Sequence, residues 1–219
     1  MIFNSVCEEM RSDALKLPKG ENVKVYMRHS IRYDNPPDGD YSNLLLTPEG
    51  IKIANEIGRN LDLEIGYMYS SPVMRCIQTV TEIARGAGIE NAKPEIAEEF
   101  AALKGLRHAQ EDLHIGWYVF YYGLQRHETD KTGGVTIEEV VRPIIDKVFS
   151  VKTSDDKLDI ICSHDSHVVT LASALFDYKT GINGENWCRY TEGLFFTGVR
   201  EDFTAYWRGE ERHFRNWLM

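Results

Sequence analysis

Three times along the chain a short apolar run stops abruptly at a knot of polar, ionisable residues. Val23, Val25 and Met27, with Lys24 and Tyr26 between them, alternate as a strand does and run straight into Arg28-His29-Ser30-Ile31-Arg32. Ile65 to Tyr69 ends at Ser70-Ser71-Pro72, with Arg75 just beyond, and Leu158 to Cys162 ends at Ser163-His164-Asp165. Helical patterns follow. Thr47-Pro48-Glu49 supplies an N-cap, a proline at the first helical position and an acid in the first turn, before Ile51, Ala54, Ile57, Gly58 and Leu61 at helical spacing. Val73 to Ala87 forms a second helix stopped by Gly86 and Gly88. Thr136, with Glu138 and Glu139, opens another that carries Ile145, Val148 and Phe149, and His167 to Tyr178 is the last. Gly193 to Arg200 and Thr204 to Trp207 flank a turn at Glu201-Asp202 and read as an antiparallel hairpin.

Strand and helix in alternation, closed by a hairpin, predict a three-layer α/β/α sandwich around a mixed, mostly parallel sheet. Tyr33 to Asn43, with Pro36, Pro37 and Gly39, is a surface loop. Ala101 to His127 mixes helix formers with Trp117, Tyr118, Phe120, Tyr121 and Tyr122; it is expected as a helical cap over a pocket, and a helix buried by its aromatics accounts for it equally. The chain is expected to be one domain, residues 1–219, with a cap insertion at 101–136.

Composition narrows the function classes. Of 219 residues, 25 are Lys or Arg and 34 Asp or Glu, a formal charge of -9, which opposes a nucleic-acid binder needing a basic stripe. It also sets a tension with any anionic substrate, which the summed field repels. No apolar run nears the ~18 residues of a membrane span, and residues 1–20 lack the pattern of an export signal, so no membrane partner and a cytoplasmic location are expected. Cys7, Cys76, Cys162 and Cys188 lack zinc-site or disulfide spacing. Neither a metal nor a cofactor is expected.

In open α/β sheets ligands bind beyond the carboxyl ends of the strands. The three polar knots therefore converge, bringing Arg28, Arg32, Arg75, His29, His164 and Asp165 together. That inventory suits a phosphoryl group: arginine forks clasp its oxygens, a histidine attacks phosphorus and a carboxylic acid protonates the leaving oxygen.

The ordered motifs Arg28-His29-Ser30, Leu46-Thr47-Pro48-Glu49-Gly50, Ser70-Ser71-Pro72-Val73-Met74-Arg75 and Ser163-His164-Asp165 resemble those of the histidine phosphatase superfamily, over roughly Val25 to Tyr178. The resemblance implies a phosphoglycerate mutase-like fold, a phosphohistidine intermediate on His29 and a phosphoryl pocket of Arg28, Arg32, Arg75 and His164, without metal. Arg32 and Asp165 match the acid-phosphatase and phytase-like branch, which implies Asp165 as the general acid. The mutase-like branch takes its acid from a Glu after the third strand; Phe100 to Gly105 holds none, and Glu99, just before, is the reserve. Ser30 stands where the family usually has Gly and is expected either to contact the substrate or to narrow the pocket. Tyr33, Arg107 and His108 are further candidate contacts.

Singly, each of these residues has a plain structural reading: a strand-end ion pair for Arg28, a helix-face charge for Arg75, a core histidine for His164. His108, His114, His127 and His213 lack a motif partner, and His167 is expected to cap the helix or line the rim. The expected function is a phosphatase acting on a small phosphate monoester. A phosphomutase of the same fold and a non-catalytic phosphate-binding module, the latter suggested by Ser30, are the alternatives. A metal-dependent, all-helical phosphohydrolase using His164, Asp165 and His167 is opposed by the strand before them.

Overall fold

In the computed structural model, residues 10, 13–34, 43–101, 117–179 and 186–219 are described. The chain runs β1 (Val23–Arg28), α1 (Pro48–Arg59), β2 (Ile65–Ser70), α2 (Met74–Gly86), β3 (Glu95–Ile96), α3 (Trp117–Gln125), α4 (Ile137–Ser150), β4 (Leu158–Ser163), α5 (Asp165–Phe176), β5 (Gly193–Val199), β6 (Asp202–Trp207) and β7 (Glu210–Arg215). These strands form one sheet in the order β3-β2-β4-β1-β5-β6-β7. The β2–β3, β2–β4 and β1–β4 pairs are parallel, and β1–β5, β5–β6 and β6–β7 antiparallel.

Strand alternation sorts the core into two layers. Val25, Met27, Ile160, Cys162 and Phe195 face one side, where Ala54 and Ile57 of α1 and Cys76, Val80 and Ile83 of α2 cover them. Tyr26, Ile161, Leu194 and Phe196 face the other, beneath Val141, Ile145 and Val148 of α4 and Val168, Leu171 and Leu175 of α5. This is the three-layer sandwich that the alternation of elements predicts. Helix starts follow their caps: the Thr47 hydroxyl accepts from Gly50 N, and Thr136 and Glu139 close a reciprocal capping box.

The expected hairpin continues into a third strand, β7, whose side chains alternate exposed and half-buried from Glu211 to Arg215. Its run of charged residues hides the period-2 signal of an edge strand. The two-residue β3 is too short for any periodicity. Gly86 and Gly88 prove to have different reasons. Gly88, at φ +84°, is the left-handed stop. Gly86 still belongs to the helix, where a Cβ would meet Asn55 O of α1 at 2.0 Å, and one on Gly58 would meet Ile83 O of α2 at 1.9 Å. The two helices lock through reciprocal glycines. Of the predicted cap, α3 is described; Phe120, Tyr121 and Leu124 pack with Val140 of α4, so these aromatics serve as core.

Candidate active site

The register of the parallel strands brings the two histidines side by side. Arg28 of β1 pairs with Ser163 of β4, so the next residues, His29 and His164, leave the sheet together; their rings lie 5.8 Å apart. On the other flank of β4, Ser70 pairs with Cys162, and Ser71 N donates to Cys162 O at 3.0 Å. Ser71-Pro72 then leads into α2, whose first turn delivers Arg75.

Arg75 connects both imidazoles. Its Nε donates to His29 Nε2 at 3.1 Å, and its Nη2 lies 3.2 Å from His164 Nδ1. A guanidinium only donates, so His29 Nε2 must be the unprotonated nitrogen. The ring proton then sits on Nδ1, 2.8 Å from the Ser30 carbonyl that accepts it. Burial, then the neighbouring His164 and Arg75, hold the His29 pKa well below the ordinary imidazole value. The result is a neutral imidazole with its Nε2 lone pair held against a cation. By the same logic His164 accepts on Nδ1 and presents Nε2–H to Ser71 Oγ at 3.1 Å.

Arg28 reaches the other wall. Its Nη2 lies 3.1 Å from Asp165 Oδ2, its Nη1 donates to Cys188 O, and the Tyr190 ring packs 4.0 Å from the guanidinium carbon. Its Nε is buried without a partner among the described residues. Asp165, the first residue of α5, also accepts from Trp187 Nε1 at 3.1 Å on Oδ2 and from Ser166 N at 2.8 Å on Oδ1. Burial alone would raise its pKa; the Arg28 charge and the Trp187 hydrogen bond outweigh it and bring it down to about 2. Arg32 bridges to Leu46, donates to the Tyr33 carbonyl at 2.7 Å, and adds its charge to the burial that lowers the Arg75 pKa. Among the described residues, three guanidinium groups face one carboxylate and make this part of the site cationic.

The other candidates fall elsewhere. Ser30 is fully buried; its hydroxyl donates to Gly50 O at 2.8 Å and its N–H to Thr79 Oγ1 at 2.9 Å. Gly50 is itself required, since a Cβ there would meet Ile31 O at 2.0 Å. Tyr33 is exposed beside Leu45. Glu99 lies in a short 3-10 turn, Glu98–Phe100, at 3.4 Å from Lys147 of α4. Arg107 and His108 lie outside the described residues. His167 is neither cap nor rim: it is buried, its Nδ1 within 3.1 Å of Ser163 Oγ and 3.3 Å of Tyr26 OH, and burial, with His164 next, brings its pKa down to about 3. Among the described residues no three His, Cys, Asp or Glu side chains gather as a metal site, and no helix is long and apolar enough to cross a membrane.

Trp187 and Tyr190 escape the motif search. Their one signal is an aromatic pair interleaved with Arg189 in an otherwise polar stretch just before β5.

Compared with known families, residues 31–185 match the model of the histidine phosphatase superfamily (branch 1). The chain belongs to the histidine phosphatase superfamily. The acid-phosphatase-like placement suggested by Arg32 and Asp165 finds no support in this branch 1 match. No curated protein sequence matches the chain. Among solved structures, mycobacterial glucosyl-3-phosphoglycerate phosphatase aligns with TM-score 0.50 at 17% identity, covering 89% of this chain and 97% of that one. A structure titled mycobacterial hydrolase 2 aligns with TM-score 0.51 at 15% identity, over 90% of each. Phosphoglycerate mutase from Bacillus anthracis str. Sterne aligns with TM-score 0.49 at 14% identity, over 94% of each. At these identities the similarity is one of fold.

Proposed function

We propose that this histidine phosphatase superfamily member hydrolyses a small phosphate monoester through a phosphohistidine on His29. The observation that carries the reading is the fixed tautomer: Nδ1–H is committed to the Ser30 carbonyl, and the Nε2 lone pair is held by a guanidinium N–H that a phosphoryl oxygen can take over. Nε2 attacks phosphorus, the P–O bond to the leaving group breaks, and the leaving oxygen takes a proton from Asp165. Water then attacks the phosphohistidine, the N–P bond breaks and the water proton passes to Asp165, which restores both groups. Arg28, Arg32, Arg75 and His164 meet the charge on the three equatorial oxygens as the transition state spreads it. Arg28 Nε, without a partner among the described residues, is one donor ready for such an oxygen.

Asp165 is ionised in the free site, so the proton arrives with the substrate, whose second ionisation lies near pH 6. Once Arg28 turns to the phosphoryl group, the carboxylate faces an anion instead of a cation, and its proton affinity rises. Glu99, engaged with Lys147, is the weaker candidate. The idea of an inactive module rested on Ser30, and that hydroxyl is occupied by Gly50. Glu98 and Glu99 follow β3, so hydrolase and mutase are separated by experiment: hydrolysis is expected to exceed transfer of the phosphoryl group to a second hydroxyl.

His29→Ala is expected to lose turnover of aryl and alkyl phosphates by three or more orders of magnitude, together with any acid-labile phosphoenzyme. EDTA is expected to leave the wild-type rate unchanged. A His29→Ala variant with normal activity, or activity lost to EDTA and restored by metal, overturns the proposal.

A further inference from the structure

Asp165 can carry a transferable proton on only one of its two oxygens, and a residue outside the family motifs decides which. Oδ2 accepts a hydrogen bond from Trp187 Nε1 at 3.1 Å and lies 3.1 Å from Arg28 Nη2 in an ion pair. Among the described residues Oδ1 has a single donor, Ser166 N, at 2.8 Å. A carboxylate oxygen has two lone-pair sites, and an indole N–H donates but never accepts. While Trp187 holds Oδ2 and the Arg28 charge lies beside it, a proton there would compete with both. Oδ1 keeps a free lone pair.

We infer that Trp187 is a positioning residue for Asp165: its indole N–H fixes the carboxyl through Oδ2 and assigns the proton given to the leaving oxygen to Oδ1. The inference rests on the phosphatase reading and on Asp165 as its acid. When a phosphoryl group draws Arg28 away, Trp187 and Ser166 N remain as the hydrogen bonds that orient the carboxyl. Trp187 is itself braced edge-on by the Tyr121 ring of α3, 6.4 Å between centroids, which joins the core of the cap region to the acid. Charged or titratable groups also act on Asp165 from each packed element: Arg28 at the end of β1 and His29 just beyond it, Arg75 of α2, Tyr121 of α3, His167 within α5, and Cys188 in the Trp187 segment. These are unchanged by the variants below, so their effects cancel in comparison.

The test is the pH dependence of His29 phosphorylation in a single turnover at saturating alkyl phosphate, whose poor leaving oxygen demands the proton. Saturation makes the profile report the enzyme–substrate complex. Trp187→Phe keeps a ring and removes the donor, so the protonated acid persists to higher pH. The alkaline limb is expected to move up by about one unit, so that at a pH on that limb the rate relative to its own maximum rises about tenfold. Its maximal rate falls as orientation is lost. Wild-type enzyme grown with ring-fluorinated tryptophan, a stronger N–H donor on an unchanged frame, is expected to move the limb down and keeps the test available should Trp187→Phe fail to fold.

Asp165→Asn separates the two levels of the argument. It is expected to abolish the limb and to slow alkyl phosphates far more than aryl phosphates. If it does so while neither tryptophan change moves the limb, Trp187 merely packs there and the inference fails alone. If Asp165→Asn leaves the alkyl phosphate rate and limb intact, the assignment of the acid itself falls.

Discussion

His29 and His167 are both buried imidazoles, yet they hold their neutrality for different ends. His29 keeps a lone pair for phosphorus, while His167 lies in a closed network with Tyr26 and Ser163, whose hydroxyl donates to Phe100 O at 2.8 Å. Both pKa values are lowered, His167 to about 3, whereas an unfolded chain titrates its histidines near 6.5. Their contribution to stability is complete above about pH 6.5. Below that the unfolded state binds more protons, so the contribution is lost as pH falls, for His167 until about pH 3. Asp165, held at about 2 against the usual 3.8, is lost only at still lower pH. Urea unfolding between pH 6.5 and 4.5 therefore reads the imidazoles apart from Asp165, against an opposing contribution from Asp13, whose pKa burial raises to about 6, that wild type and variant share. His167→Gln is expected to flatten the decline by up to ~1.4 kcal/mol per pH unit; parallel slopes would show that His167 is not held neutral. The motif residues were legible in sequence because each stands at a strand end or, like Arg75, in the first turn of the helix that follows, where the fold class alone places it. Trp187 and Tyr190 were not, since their meaning comes from Asp165 and Arg28, residues 22 and 162 positions away.

The elements carry the site through contacts between helices as much as through the strand ends. Arg75 sits on α2, and α2 is held to α1 by close approach at Gly58 and Gly86. Thr79, one turn after Arg75, accepts from Ser30 N and donates to Arg75 O at 2.7 Å, so the helix also grips the backbone beside His29. A methyl group at Gly86 has no room, and Gly86→Ala is expected to cost about 1–3 kcal/mol, or several degrees in Tm at this size. It should also lower the rate of His29 phosphorylation by shifting α2 and with it Arg75. Gly88→Ala is the contrast: nothing lies within 4 Å, so only the left-handed φ is strained. A loss of about 1 kcal/mol with an unchanged rate is expected there. Equal loss of rate in both variants would refute the helix-locking account. Helix starts could be read from Thr47 and Thr136 because a cap is local chemistry. The role of Gly86 could not, because a terminator and a close contact select the same residue.

At the scale of the molecule the charge of -9 stands against a site built to hold an anion. The two are reconciled by distance. Exposed charges are screened over ~8 Å at physiological salt, whereas Arg28 and Arg75 would meet phosphate in direct hydrogen bonds, and their common surroundings screen them little. Affinity and capture are thereby separated. Affinity follows from the cationic pocket, while the long-range field of the surface acts only on the encounter. An acidic exterior opposes a dianion approaching through water, and added salt weakens that opposition. The rate constant for His29 phosphorylation at low substrate, taken from about 25 to about 300 mM in a salt of a weakly binding anion, is accordingly expected to stay level or to rise. A steep fall would mean that the arginines project a field beyond the pocket mouth, strong enough to override the surrounding carboxylates and steer the substrate. Arg32→Gln then discriminates between the two. If its charge acts only at contact, the variant loses affinity while the salt response stays as in the wild type; if it feeds a funnel, the salt response itself changes.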